Sequence, residues 1–232
     1  LFDAKADNDL RFGCLGYDTV TREILNGIDI DPDLIISFTE SVEGEYRRRV
    51  TYEYDKAIWV ETINSQRATE AIEDRNTDVL LVMGWPELFK PELIDALEIE
   101  CMGRHLSLKR RGHSPAAWVL THALSETGVS LFWIDENVDS GELIDQRVVQ
   151  IDPSEHAADL HHNCTQATIA LLNQATLLRF RDADFSSEPK EGEATYSHPR
   201  RPDMGIIDLT DCAWGIQNFV RRQSHPYPGA FT

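Results

Sequence analysis

An open, doubly wound α/β fold, a mostly parallel twisted sheet with helices on both faces, is what this sequence predicts, and three observations predict it. The runs Leu34-Ile35-Ile36-Ser37-Phe38, Ala57-Ile58-Trp59-Val60 and Val79-Leu80-Leu81-Val82-Met83 are continuously apolar or nearly so, as strands buried on both faces are. Segments of helical character, 65–74 and 91–97, stand between and after them, and such alternation is the signature of a parallel sheet. Upstream, an apolar run from Leu10 passes Gly13 into Gly16 and leads to helical spacing at Val20, Ile24 and Leu25, which reads as strand, tight turn and helix.

Further on, Ile99 to Met102 and Val129 to Ile134 add apolar runs, and a long Ala- and Leu-rich helical pattern over 154–180 closes the main domain, 1–181. The polar stretch 182–202 reads as a linker or surface arm. A small appendage completes 182–232. It comprises a short strand at Ile206 to Leu209, Asp211 as helix cap, and a helix over 212–222 ending before His225-Pro226. Open α/β sheets gather ligands at the carboxyl ends of their strands, where strand order reverses. The loops to watch therefore follow the strands: Gly84-Trp85-Pro86, the segment around His105, and 135–141, which are expected to share one cleft.

The 232 residues carry 22 basic and 40 acidic side chains, a net charge of −18. A non-specific grip on nucleic acid or on an anionic membrane is repelled by such a surface, so a phosphate-bearing substrate needs a local basic patch. Lys109-Arg110-Arg111 is the densest basic run near the His105 segment. Cys14, Cys101, Cys164 and Cys212 are scattered without a Cys-x-x-Cys pair, which favours reduced thiols and a cytoplasmic setting. No run approaches the length of a membrane span, and the first ten residues are too polar for a signal peptide. His156, His161 and His162 lack metal-ligand spacing, so no metal site is expected.

Several blocks in order carry a resemblance. They are Gly103-Arg104-His105-Leu106-Ser107-Leu108-Lys109-Arg110-Arg111-Gly112, then Thr127-Gly128-Val129, then Val138-Asp139-Ser140-Gly141, and finally Arg201-Pro202 with Pro226-Tyr227-Pro228-Gly229-Ala230-Phe231. Together they resemble the formyltransferase family, whose members share an Asn-x-His-x-Ser-Leu-Leu-Pro-x-x-Arg-Gly stretch, a Thr-Gly-Val strand and an Asp-Thr-Gly-like turn. The resemblance covers roughly 78–232. It implies a Rossmann-like sheet and transfer of a formyl group from 10-formyltetrahydrofolate to a primary amine.

It also implies roles. His105 takes the position of the histidine that assists the amine and holds the oxyanion, Asp139 that of the aspartate that orients it, and Ser107 that of the neighbouring hydroxyl. Arg111 and Gly112 match the loop that meets the acceptor. Gly84, Trp85, Pro86 and Leu88 match the loop beside the pteridine, and backbone groups from Ile134 to Val138 stand where its polar edge is read. An imidazole and a carboxylate suit this chemistry, since a proton must leave the attacking amine while an oxyanion is stabilised.

Two departures stand out: Gly103 replaces the family asparagine, removing one donor to the oxyanion, and Ser107-Leu108 meets Lys109 without the usual Leu-Pro. A Cα spacing well above ~3.8 Å at 108–109 would mean missing residues; an ordinary spacing would mean a true deletion. An amino-sugar nucleotide is the leading acceptor and a small amine the next. Transfer RNA is disfavoured by the charge, and methionyl-tRNA members resemble this core with a further C-terminal β-barrel. The rival reading is a folate- or nucleotide-binding protein that kept the fold and lost turnover, which Gly103→Asn should leave inactive while raising a working enzyme's rate. A dinucleotide-binding protein is a third reading, weakened because Gly13-x-x-Gly16 is not Gly-x-Gly-x-x-Gly. Homodimerisation is left open.

Overall fold

The computed structural model describes residues 11–16, 18–39, 56–97, 99–108, 110–112, 115–135, 137–173, 195–197 and 201–232. They group into two compact units. The first draws on Leu1–Arg104, Leu131–Asp145 and Ile169–Lys190, the second on His105–Ser130, Gln146–Thr168 and Glu191–Thr232.

The strands are β1 (Phe12–Leu15), β2 (Leu34–Phe38), β3 (Ala57–Val60), β4 (Val79–Val82), β5 (Glu100–His105), β6 (Arg110–Gly112), β7 (Glu126–Trp133), β8 (Leu143–Gln150) and β9 (Thr195–Ser197). Seven of them form one sheet in the order β3-β2-β1-β4-β5-β7-β8. The pairs β1–β2, β1–β4, β2–β3 and β4–β5 are parallel. This is the mostly parallel α/β sheet that the continuous apolar runs predict. Strand order reverses between β1 and β4, so the crevice expected to take a ligand lies at Leu15-Gly16 and Met83-Gly84, tied together by Met83 N–H donating to Leu15 O at 2.9 Å.

In the first unit, α1 (Thr19–Gly27) starts on an Asp18 cap whose carboxylate accepts from Thr21 N at 2.8 Å, and buries Thr21, Ile24 and Leu25. Gly16 lets the turn pass beneath this helix: a Cβ there would lie 2.4 Å from the Thr21 side chain. Helix α2 (Gln66–Arg75) begins on Ser65 and ends on Asn76 in the left-handed region, φ 48°. A short helix, α3 (Pro91–Ile94), follows β4. Leu15, Leu34, Ile36, Leu80 and Val82 from the sheet meet Ile63, Ile72, Phe89 and Leu93 in one core. Burial pushes the Cys14 thiol up to about 12 and raises Cys101 further, which leaves both as packed, unreactive groups.

The structure corrects several expectations. β3 is an edge strand with only Val60 buried, so its apolar run is half exposed. β5 extends to His105, which ends the strand instead of following it. β8 was not foreseen. It returns beside β7, with Trp133 N–H to Glu142 O (2.9 Å) at one end and Ile151 N–H to Ser125 O (2.8 Å) at the other. β6 and β9 form a separate two-stranded parallel sheet, in which Arg111 pairs with Tyr196, so part of the expected polar arm is ordered pairing.

In the second unit, α4 (Pro115–Thr121) packs against α6 (Ala213–Gln223), and α5 (Ala157–Leu171) starts later than expected because Asp152 accepts from Ser154 N at 2.8 Å in a preceding turn. Ile206 to Leu209 is not a strand ladder but one bridge, Ile206 to Phe231, with Leu209 70% exposed. The cap of α6 is Cys212, whose Sγ accepts from Gly215 N at 3.3 Å, not Asp211. Lys109, and so the Leu108-Lys109 junction, lies outside the described residues, as do 174–180 of the expected long helix and 182–194 and 198–200 of the expected arm. No described helix is long and apolar enough to cross a membrane.

Candidate active site

The residues singled out from sequence fall in both units. The first holds Gly84, Trp85, Pro86, Leu88, Ile134, Val138 and Asp139; the second holds His105, Ser107, Arg111 and Gly112.

In the first unit, Gly84 sits at the switch point in the left-handed region, φ 73°, with nothing within 4 Å of where its Cβ would be. Trp85 follows, half-buried on the core, its ring stacked on Phe38 from the end of β2 with centroids 3.7 Å apart and planes 20° from parallel. Since β2 and β4 flank β1, this aromatic pair joins the end of β2 to the loop after β4, across the end of β1. Glu87 holds it: one carboxylate oxygen accepts from Trp85 Nε1 at 2.8 Å and from Ile63 N at 2.9 Å. Asn64 adds a second tie, donating to Leu88 O at 2.9 Å and accepting from Lys90 N at 2.8 Å. Pro86 and Leu88 are exposed.

The loop after β7 is shaped by Asp135, whose Oδ1 accepts from Asn137 N at 2.9 Å and from the Ser140 hydroxyl at 2.5 Å. Asp139 lies at φ 50°, a left-handed conformation that aspartate tolerates better than most residues. Ile134 N–H donates to Cys101 O at 2.8 Å, so with Asn137 two of the backbone donors expected to read a ligand edge are already engaged. Val138 is 40% exposed.

Gly103 on β5 has a packing reason. A Cβ there would lie 2.6 Å from Phe132 Cζ and 3.0 Å from Ile134 Cγ1, so the Phe132 ring occupies the space a side chain needs. Phe132 is itself buried, and relief would disturb the core. Gly103→Asn alone is therefore expected to lower stability by about 1–3 kcal/mol, with Gly103→Asn/Phe132→Leu recovering much of it in urea unfolding. Equal stability of Gly103→Asn and the wild type would refute the packing argument. The rate test for the missing donor thus belongs to the double variant.

In the second unit, His105 is half-buried at the end of β5, and its Nε2 is shielded from solvent. The segment after it is fixed through main-chain carbonyls: Ser130 Oγ donates to Ser107 O at 2.6 Å, and Gln146 Nε2 donates to Leu108 O and to Ser130 Oγ, both at 2.7 Å. Ser107 is buried. Leu108 packs over Gly128, where a Cβ would come within 2.3 Å of its Cδ2. Arg111 and Gly112 lie on β6 and not in a loop. His161 meets the Tyr227 hydroxyl at 3.2 Å, and among the described residues no group of three His, Cys, Asp or Glu is placed to hold a metal.

Sequence reading missed Phe38, Asn64, Glu87, Ser130 and Gln146, because each works through a partner distant in the chain. The turn made by Asp135 was missed as well, although an Asp whose carboxylate can accept from the N–H two residues on is an ordinary turn signal.

Solved structures of similar architecture include a 4-N formyltransferase from Francisella tularensis, at 16% identity and a TM-score of 0.71, with 95% of this chain and 91% of that one covered. An N-formyltransferase from Helicobacter canadensis, in complex with folinic acid and dTDP-3-aminofucose, matches at 16% identity and 0.68, covering 92% and 80%. A methionyl-tRNA formyltransferase from Clostridium thermocellum matches at 14% and 0.67, covering 96% and 87%. At these identities the likeness is one of fold. The family model described as formyl transferase, however, matches residues 49–176, more than half of the chain, from β3 through α5 and across both the His105 and the Asp139 segments. Sheet order, crevice and matched sequence agree: the chain belongs to the formyl transferase family, as an enzyme that transfers a one-carbon formyl group.

Proposed function

We propose that this enzyme takes its formyl group from 10-formyltetrahydrofolate and passes it to the primary amine of an amino-sugar nucleotide. The observation that carries the donor reading is the Trp85–Phe38 stack at the switch point, a flat aromatic wall beside the open space at Gly84. A bicyclic pteridine suits such a wall, with Pro86, Leu88, Ile134 and Val138 contributing around it. The formyltransferase fold with folinic acid and an aminofucose nucleotide in its neighbour supports both halves of the reading. The charge of −18 argues against transfer RNA as acceptor.

In the reaction the amine nitrogen attacks the formyl carbon and a tetrahedral oxyanion forms. His105 accepts the proton of the attacking nitrogen, Asp139 supplies the carboxylate that balances the imidazolium, and Ser107 lies in the same catalytic segment. The bond from carbon to the folate nitrogen then breaks, that nitrogen takes up a proton, and a formamide and tetrahydrofolate leave. Arg111 and Gly112 meet the acceptor, where a guanidinium suits a diphosphate.

The test is tetrahydrofolate release from 10-formyltetrahydrofolate across a panel of amino-sugar nucleotides, small amines and methionyl-tRNA. Release dependent on an amino-sugar nucleotide is the expected result. Release only with methionyl-tRNA or a small amine would overturn the acceptor, and folate binding without release for every acceptor would overturn the reaction.

A further inference from the structure

We infer that Glu87 is a positioning residue that sets the orientation of Trp85 and thereby the affinity for the formyl donor; this deepens the proposed function and rests on Trp85 forming part of the donor pocket. Trp85 sits on the loop after β4, where the preceding Gly84 has a left-handed backbone and open space around it, so the local chain does not by itself dictate where the indole points. Stacking on Phe38 fixes the plane of the ring but not which edge carries Nε1, because a half-turn about the Cβ–Cγ bond leaves the plane unchanged and exchanges the two edges. The bond from Nε1 to Glu87, at 2.8 Å, removes that freedom because it is directional and charge-assisted.

The same carboxylate oxygen also accepts from Ile63 N at 2.9 Å, and Ile63 is fully buried in the core just after β3. The indole is thereby referenced to the rigid sheet and not to its own loop. Asn64, next in sequence, ties Leu88 O and Lys90 N on the far side of Glu87, so the loop cannot drift and take the carboxylate with it. Glu87 is only half-buried, and a salt bridge would have served equally to neutralise it; two N–H donors on one oxygen instead give a fixed geometry. A wall held in place before the ligand arrives spares the ordering cost at binding.

The test is equilibrium binding of folinic acid by calorimetry to the wild type, Glu87→Ala, Glu87→Gln, Trp85→Ala, Trp85→Phe and Glu87→Ala/Trp85→Phe, each checked for a cooperative unfolding transition. Glu87→Ala is expected to weaken binding about tenfold, the effect of losing one charge-assisted bond. Glu87→Gln should restore most of the affinity, because the amide oxygen accepts the same two bonds. In the Trp85→Phe background, which has no Nε1 donor, Glu87→Ala should cost under about threefold further. Equal costs in both backgrounds would mean that Glu87 acts through Ile63 alone, and would overturn the inference. So would unchanged binding in Glu87→Ala while Trp85→Ala weakens it, an outcome that keeps Trp85 in the donor pocket. Unchanged binding in Trp85→Ala would remove Trp85 from the pocket and take the inference with it.

Discussion

His105→Ala is expected to slow acceptor-dependent tetrahydrofolate release by about 10²- to 10⁴-fold, the range spanned by a positioned general acid or base. The imidazole closes β5, and the residues after it are pinned by Ser130 and Gln146 through the carbonyls of Ser107 and Leu108, so the ring is delivered by a rigid strand end and not by a free loop. The chain on both sides is held by its main-chain atoms, and truncation of the side chain leaves those bonds in place. Folinic acid affinity should accordingly stay within severalfold and the unfolding midpoint should change little, separating lost chemistry from lost structure. Single-turnover release, measured with the acceptor found in the panel, reads the effect directly. A rate within tenfold of the wild type would remove His105 from the chemistry.

Gly141→Ala should be the most damaging substitution for stability, at about 4 kcal/mol or more. A Cβ at this position would lie 1.6 Å from Trp133 O and 2.7 Å from Trp133 C, which is overlap with main chain, so no rotamer change relieves it. Nor can the backbone step aside cheaply. Trp133 N–H is bonded to Glu142 O at 2.9 Å, and Ile134 N–H to Cys101 O at 2.8 Å, so moving Trp133 breaks the pairing that carries the Asp139 loop. Gly84→Ala is the control, since its strain comes only from the positive φ and nothing crowds it; about 1 kcal/mol is expected there. Urea unfolding of the two variants decides the matter. A Gly141→Ala protein as stable as Gly84→Ala would show that the loop rearranges freely and that Gly141 is not what holds it.

The sheet was readable in the chain because burial on both faces leaves a continuous apolar run, and Leu34 to Phe38 and Val79 to Val82 are indeed strands at the centre of the first unit. The first two helices were readable from spacing such as Val20, Ile24 and Leu25, but their caps, Asp18 and Ser65, were supplied by the structure, which starts each helix after the cap residue. β8 was hidden because only Ile144 and Val149 along it are buried and its pattern is broken by charge, in Asp145-Gln146-Arg147. The short β6–β9 pairing was hidden for a different reason: three residues with no apolar period carry no signal until the partner strand, far along the chain, is beside them.

The sequence by itself determined the fold class and the order of the blocks around His105 and Asp139, because those depend on local burial and on turn chemistry written within a few residues, whereas the crevice was located only by the strand order of the folded sheet. Only the tertiary structure decided why Gly103 stands where a side chain is expected, why Gly141 admits none, and what orients Trp85. Each of those answers is supplied by an atom from another strand or loop, such as the Phe132 ring, the Trp133 carbonyl and the Glu87 carboxylate with its second donor at Ile63. Spatial exclusion and directional hydrogen bonds between distant segments exist only once the chain has closed, and no periodicity along it announces them.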